Sequence, residues 1–207
     1  PVVAFGDRLE DDLYRRDFTM NAMALRLPQM ELVDPYGGVR DLHEGIVRTP
    51  GAPSSSFSDD PLRMMRAARF ASQLGVTVAP EVFEAMKDMA GRIEIISAER
   101  VRDELVKLIN GKTPADGVDL LVESGLAEYV LPEVAALRLE IDEHHRHKDV
   151  YQHSLTVLRQ ACDLETGPEG EVPAPDFVLR FAALMHDVGK PATRRFEGTG
   201  AVSFLHH

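Results

Sequence analysis

Two runs near the start of the chain concentrate groups able to bind a nucleoside triphosphate: Arg15-Arg16-Asp17 through Ala24, and Asp59-Asp60-Pro61 through Phe70. In the second run Arg63, Arg66 and Arg69 recur every third residue. On a helix, Asp60 and Arg63 share a face one turn apart. A carboxylate beside a guanidinium offers an acceptor next to a fork of donors. Cytosine and adenine both present an amino donor beside a ring-nitrogen acceptor on the Watson–Crick edge, so one such pair reads both. Uracil and guanine would leave buried polar groups unpaired, at about 1–3 kcal/mol per group. Each three-residue step turns a side chain by about −60°, so the three arginines form a slanted stripe suited to phosphate oxygens. Arg15 and Arg16 add charge from a separate segment. Asp17 and Asn21, four apart, share a face from which they can hydrogen-bond a ribose.

A further cluster suggests metal chemistry. His186-Asp187-Val188-Gly189-Lys190-Pro191 follows an apolar stretch, His153 lies upstream, and His206-His207 ends the chain. Neutral imidazole and carboxylate suit a divalent transition metal. A lone His-Asp dipeptide is more often a satisfied histidine beside a capping acid; Gly189-Lys190-Pro191 and His153 tip the balance toward a site. His144, His145, His147 and Asp149 lie together in a charged stretch and read as a solvated linker, where adjacent ligands are poorly preorganised.

The elements that must position these groups follow from periodicity and punctuation. Val2–Phe5 is a short apolar run. Leu25–Leu27 and Glu31–Asp34 flank Pro28-Gln29 as a hairpin, and Asp34-Pro35-Tyr36-Gly37-Gly38 is a turn. Asp41–Ile46 reads as a short helix closed by Gly45. A longer helix is predicted with Ser58 as its cap, Asp59, Asp60 and Pro61 in its first turn, and Gly75 as its stop. Pro80–Ala90, Ser97–Ile109, Asp116–Glu123 and Leu126–Val130 continue the helical pattern. Residues 140–148 mark a boundary. Val150–Leu164 is amphipathic, Glu165–Pro175 is a loop, and the apolar Asp176–Met185 leads into His186.

Composition sets limits. The chain has 207 residues, 44% of them hydrophobic, enough for one or two packed cores. No apolar run approaches the roughly 20 residues that cross a bilayer. One cysteine, Cys162, precludes an internal disulfide and fits a reducing cytoplasm. The net charge of −11 excludes a uniformly basic surface, though nucleic-acid binding depends on where Lys and Arg cluster. The chain opens at Pro1-Val2-Val3 rather than at a Met, so a piece of a longer protein is expected.

The motifs resemble those of the class II tRNA nucleotidyltransferases, the CCA-adding enzymes, and the related bacterial poly(A) polymerases of the polymerase-β superfamily. Arg15–Ala24 matches their Arg-Arg-Asp-Phe-Thr-x-Asn-Ala-Met-Ala run. Asp34, Pro35, Gly37, Gly38, Asp41 and Leu42 match a hinge-like motif. Asp60 and Arg63 match the base-selecting Glu-Asp-x-x-Arg run, with Asp59 in place of the usual Glu. The resemblance implies that Asp60 and Arg63 select the base, that Arg16, Arg66 and Arg69 contact the nucleotide, and that Asp17 and Asn21 shape its ribose and phosphate site.

The later histidines resemble the opening of an HD phosphohydrolase domain. By that likeness His153, His186 and Asp187 are metal ligands and His207 belongs to a later histidine motif.

The implied fold is mainly α: a partial α/β polymerase-β-type head at 1–48, a helical nucleotide-selecting neck at 49–139, and an all-α HD-type domain beginning at 140–207. The implied activity is template-independent addition of CMP and AMP from CTP and ATP to tRNA 3′ ends, in the cytoplasm and without a membrane. The family's Gly-Gly-x-Val-Arg-Asp loop and the Asp-x-Asp pair that holds Mg²⁺ precede the Arg-Arg-Asp motif and have no match here. No catalytic residue is therefore assigned within these 207 residues, and alone they are expected not to polymerise. Two alternatives compete: an HD-type metal-dependent phosphohydrolase, and a non-catalytic helical RNA-binding module.

Overall fold

The computed structural model describes residues 8–138, 150–166, 174–196 and 202–204. Its first part is mixed. Helix α1 (Leu9–Tyr14) leads to a 3-10 turn at Thr19–Asn21, then to the antiparallel pair β1 (Ala24–Arg26) and β2 (Glu31–Val33), with Leu25 opposite Leu32. Helix α2 (Gly38–Glu44) follows.

The hinge-like motif has a structural explanation. Asp34 accepts from Gly38 N at 2.7 Å and from Val39 N at 3.0 Å, satisfying the exposed donors at the start of α2. Gly37 adopts φ +74°, where a side chain is strained. A Cβ on Gly38 would collide with the Thr19 carbonyl. The fully buried Asp41 accepts from Thr19 Oγ1 at 2.8 Å, which ties α2 to the 3-10 turn carrying Asn21. This helix starts three residues earlier than the apolar pattern suggested, because Asp34 caps it from outside.

Strand β3 (Ile46–Val47) pairs in parallel with β4 (Thr77–Val78), a two-residue ladder spanning the intervening helices. Those helices are α3 (Pro53–Asp59) and α4 (Leu62–Leu74). Helix α5 (Pro80–Met89), a 3-10 segment at Ala90–Ile95, α6 (Ala98–Ile109), α7 (Pro114–Glu123), α8 (Ala127–Val130) and α9 (Pro132–Ala135) complete the array. Proline opens α3, α5, α7 and α9, where its missing N–H and fixed φ do no harm.

Helix α4 is the centre of the molecule. It buries Leu62, Met64, Met65, Ala67, Ala68, Ala71 and Ser72, and it ends at Gly75 with φ +68°. Its neighbours come close because the contacts are small: a Cβ on Gly117 of α7 would lie 2.8 Å from the Ser72 Cβ and 2.9 Å from the Leu108 Cγ. Ser72 Oγ donates to the Leu108 carbonyl at 2.6 Å, so this polar side chain is satisfied inside the core.

Helix α10 (Val150–Thr166) packs on α7 and on α11 (Phe177–Met185). A short α12 (Lys190–Thr193) and the antiparallel pair β5 (Arg194–Phe196) and β6 (Val202–Phe204) follow. Asp176 caps α11, accepting from Val178 N and Leu179 N. Among the described residues, several contacts join this part to the preceding helices. Tyr151 donates to Asp119 at 2.7 Å, Arg138 lies 5.5 Å over the Tyr151 ring, and Arg180 reaches the α6–α7 connection. Burial, with Asp119 as hydrogen-bond acceptor, pushes the Tyr151 phenol far above its ordinary pKa. Val2–Phe5, the histidine-rich 140–148 stretch and His207 lie outside the described residues.

Candidate functional site

A cavity of about 470 Å³ is lined by Arg15, Arg16, Asp17, Asn21, Asp60, Arg63 and Arg66. The two motif runs therefore meet in space. One local expectation is corrected. Asp60 is not in the first turn of the helix that carries Arg63. It is the corner between α3 and α4, with φ −146° and ψ 100°. The physical reason is Pro61, whose ring drives the preceding residue out of the α region. The acid thus enters the cavity from a corner and the guanidinium from the first turn of α4.

Each wall group is held by a named partner. Arg63 Nη1 donates to Ser56 Oγ at 2.8 Å, and its Nη2 donates to the Arg15 carbonyl at 2.6 Å. Asp60 Oδ1 accepts from Leu62 N at 3.2 Å, and its Oδ2 accepts from Arg100 Nη2 at 3.0 Å. Asp17 is buried; its Oδ1 accepts from Phe18 N at 2.9 Å and from Asn21 Nδ2 at 3.0 Å, while its Oδ2 forms an ion pair with Arg66. Arg16 projects from the end of α1 and pairs with Asp12 at 2.7 Å. Arg16, by hydrogen bond and by charge, holds the Asp12 carboxyl below its usual value.

Arg69 departs from the stripe. It does not line the cavity; its Nε lies 3.0 Å from Glu104 Oε2, and its guanidinium lies 4.0 Å from the Phe70 ring centroid. Two three-residue steps rotate it by about −120° from Arg63, toward α6. Burial pushes its guanidinium below the ordinary value, against the pull of Glu104. Ser56, Arg100 and Glu104 are the partners that sequence reasoning missed. Arg100 and Glu104 lie 40 and 35 residues from the groups they hold, and no local pattern links them.

The cavity presents convergent donors beside two carboxylates, Asp17 and Asp60, an arrangement suited to gripping phosphates and to reading an amino-plus-acceptor base edge.

The second cluster is also assembled. One donor atom each from His153, His186 and Asp187 lies within 4.8 Å of the others. His153 is on α10; His186 and Asp187 follow α11. His186 Nδ1 lies 2.8 Å from the Ala183 carbonyl, which favours a proton there and leaves Nε2, 3.2 Å from Asp187 Oδ2, for a ligand. Asp187 has a side chain only 3% exposed, and Lys190 Nζ donates to it at 2.6 Å. Two imidazoles and a buried carboxylate fit a divalent transition metal. Lys190 supplies a positive charge to that same carboxylate.

Comparison with known proteins gives the class first. Residues 1–48 match the model of the poly A polymerase head domain, 75–137 that of the probable RNA and SrmB-binding site of polymerase A, and 150–207 that of the HD domain. Segments matching a poly A polymerase head, a polymerase A RNA-binding site and an HD domain, in that order, define the class. The chain belongs to the family of tRNA nucleotidyltransferases and bacterial poly(A) polymerases.

The chain is 40% identical over 211 residues to the A-adding tRNA nucleotidyltransferase of Deinococcus radiodurans, covering 99% of this chain and 46% of that protein. It is 40% identical to the multifunctional CCA protein of Hahella chejuensis, over 91% of this chain and 43% of that one. It thus spans about half the length of the curated relatives it matches.

Among solved structures, the Bacillus stearothermophilus CCA-adding enzyme in complex with CTP superposes with a TM-score of 0.63 at 35% identity, covering 79% of this chain and 40% of that one. A tRNA nucleotidyltransferase complexed with a primer tRNA and an incoming ATP analog gives a TM-score of 0.70 at 25% identity, over 89% of this chain and 52% of that one. No helix among the described residues is long and apolar enough to cross a membrane.

Proposed function

We propose that these residues are the nucleotide-binding and base-selecting part of a tRNA nucleotidyltransferase that adds CMP and AMP, from CTP and ATP, to tRNA 3′ ends in the cytoplasm. Residues 1–48 act as part of the head, 49–139 as the neck and 140–207 as the opening of the HD domain. The observation that carries this reading is the convergence of Asp60 and a doubly anchored Arg63 on one cavity with Asp17, Asn21 and Arg66.

Arg63 is immobilised by Ser56 and the Arg15 carbonyl, so it meets a base edge with little further loss of rotamer freedom. Asp60 accepts the amino group that cytosine and adenine share. Asn21, oriented by Asp17, faces the ribose, and Arg66 with Arg16 faces the phosphates. Arg69 serves indirectly, by bracing α4 against α6. Phosphoryl transfer in such enzymes needs carboxylate-bound Mg²⁺, which supplies charge neutralisation at the reacting oxygens; this chain's own residues bind and orient the nucleotide.

Calorimetric titration of the full chain with CTP, ATP, UTP and GTP tests the reading. CTP and ATP are expected to bind and UTP and GTP to bind at least about tenfold more weakly, with the distinction lost in Asp60→Ala and Arg63→Ala. Equal binding of all four would overturn it.

The arrangement of His153, His186 and Asp187 also favours a second activity, a metal-dependent phosphohydrolase in the HD segment. Those three residues would hold a divalent transition ion, which supplies Lewis acidity toward a phosphoryl oxygen. Lys190 donates to the buried Asp187 and fixes the direction of one of its oxygens.

A further inference from the structure

The corner bearing Asp60 is gripped from outside the cavity. Arg92, in the 3-10 segment after α5, donates to the Ser58 carbonyl at 3.3 Å, at the C-terminal end of α3. Arg100, in the first turn of α6, donates to Asp60 Oδ2 at 3.0 Å. Glu104, one turn further along α6, pairs with Arg69 in the last turns of α4. One face of α6 therefore carries a cation and an anion, spaced by four residues, that meet an anion at the corner before α4 and a cation about two turns into α4.

The carboxylate plane of Asp60 depends on this grip. Its two oxygens have different donors, Leu62 N on Oδ1 and Arg100 on Oδ2. The Leu62 bond alone, at 3.2 Å, leaves the second oxygen free to rotate. With both donors in place the plane is fixed, and each oxygen keeps a lone pair for a base. Arg100 itself is not among the residues lining the cavity.

We propose that Arg100 is a positioning residue for base selection: it acts through Asp60, fixing the acceptor that separates cytosine and adenine from uracil and guanine. The inference rests on the nucleotide-site reading above. It adds that discrimination is set in part by α6, a helix that never touches the nucleotide, through a half-exposed ion pair that contributes little to folding.

The test compares Arg100→Met, Arg100→Lys and Asp60→Ala in the full chain, titrated with CTP, ATP, UTP and GTP, with thermal melting as the control for folding. Arg100→Met is expected to keep the wild-type melting temperature and to lower the CTP:UTP and ATP:GTP affinity ratios by about tenfold. Arg100→Lys should restore most of the ratio, because an ammonium still donates to Oδ2. A merely structural role would shift melting and all four affinities together, leaving the ratios unchanged, and that result would overturn the proposal. So would a wild-type ratio in Arg100→Met alongside a collapsed ratio in Asp60→Ala, which would leave the nucleotide-site reading standing. A wild-type chain indifferent to the base would remove both.

Discussion

The arginine-lined cavity and the histidine cluster solve the same problem, holding charge in place without a ligand, in opposite ways. In the cavity the cations are distributed and each is tied down: Arg63 by Ser56 and Arg15, Arg66 by Asp17, Arg16 by Asp12. The anions there are in turn held by backbone or by Arg100. In the histidine cluster one buried carboxylate, Asp187, is approached by His153, His186 and Lys190. The first is preorganised for an extended anion with a flat base; the second is a point at which one cation meets one carboxylate. The contrast teaches that local charge count says little about ligand class. What matters is whether neighbouring charges have been neutralised already and in what geometry.

Arg180 joins the α10–α11 pair, which carries the histidine cluster, to the α6–α7 connection, and breaking that link has the largest expected effect. Arg180 donates to both Glu165 oxygens, at 2.7 to 3.1 Å, and to the Ile109 and Gly111 carbonyls at 2.9 and 2.7 Å. Arg180→Ala strands a fully buried carboxylate and two carbonyls, so chemical denaturation should show a loss of about 3–5 kcal/mol. If the regions are independent as sites, CTP should still protect the destabilised variant. Loss of protection would show that the cavity needs the α10–α11 pair.

A smaller effect sharpens the metal side. Asp187→Ala should weaken Mn²⁺ or Ni²⁺ binding at least about tenfold and abolish any metal-stimulated phosphatase activity. Lys190→Met should do the reverse for affinity, because the ammonium no longer competes for Asp187. Unchanged metal affinity in both variants would remove the cluster from consideration as a metal site.

The smallest effect lies at the rim of the cavity. Arg16 depresses the Asp12 carboxyl. A carboxylate with a lowered folded pKa contributes stability above its unfolded value of about 3.9, and that contribution disappears as pH falls through the folded value. An NMR titration should place the Asp12 midpoint below the ordinary range, and Arg16→Gln should return it there. An Asp12 midpoint that ignores the substitution would sever Arg16 from α1.

Much of this was legible in the chain, for identifiable reasons. Gly45 and Gly75 end α2 and α4 because only glycine takes their positive φ without strain. The hairpin follows from the apolar runs flanking Pro28-Gln29, and the amphipathic α6 and α10 follow from period. Helix α3 has no counterpart in the sequence reading, because Pro53-Ser54-Ser55-Ser56 carries no apolar period, yet it is helical with Ser56 and Phe57 buried. The β3–β4 ladder was missed because two residues per strand carry no period. Asp60 was misplaced on a helix although the Pro61 beside it forbids that conformation, since the Asp-Asp-Pro run also resembles a helix start.

What the sequence determined by itself is the chemistry available: arginine forks and acids in two short runs, histidines beside an aspartate, and helices punctuated by proline and glycine. These depend on side-chain type and on contacts within a few residues. Tertiary structure alone decided that Arg63 is anchored by the backbone of the other run, that Arg100 meets Asp60, that Arg69 turns to Glu104, and that His153 reaches Asp187. Those pairings join groups up to 48 residues apart, and their partners were chosen by how α4 packs against α6 and α10 against α11, which no local pattern encodes.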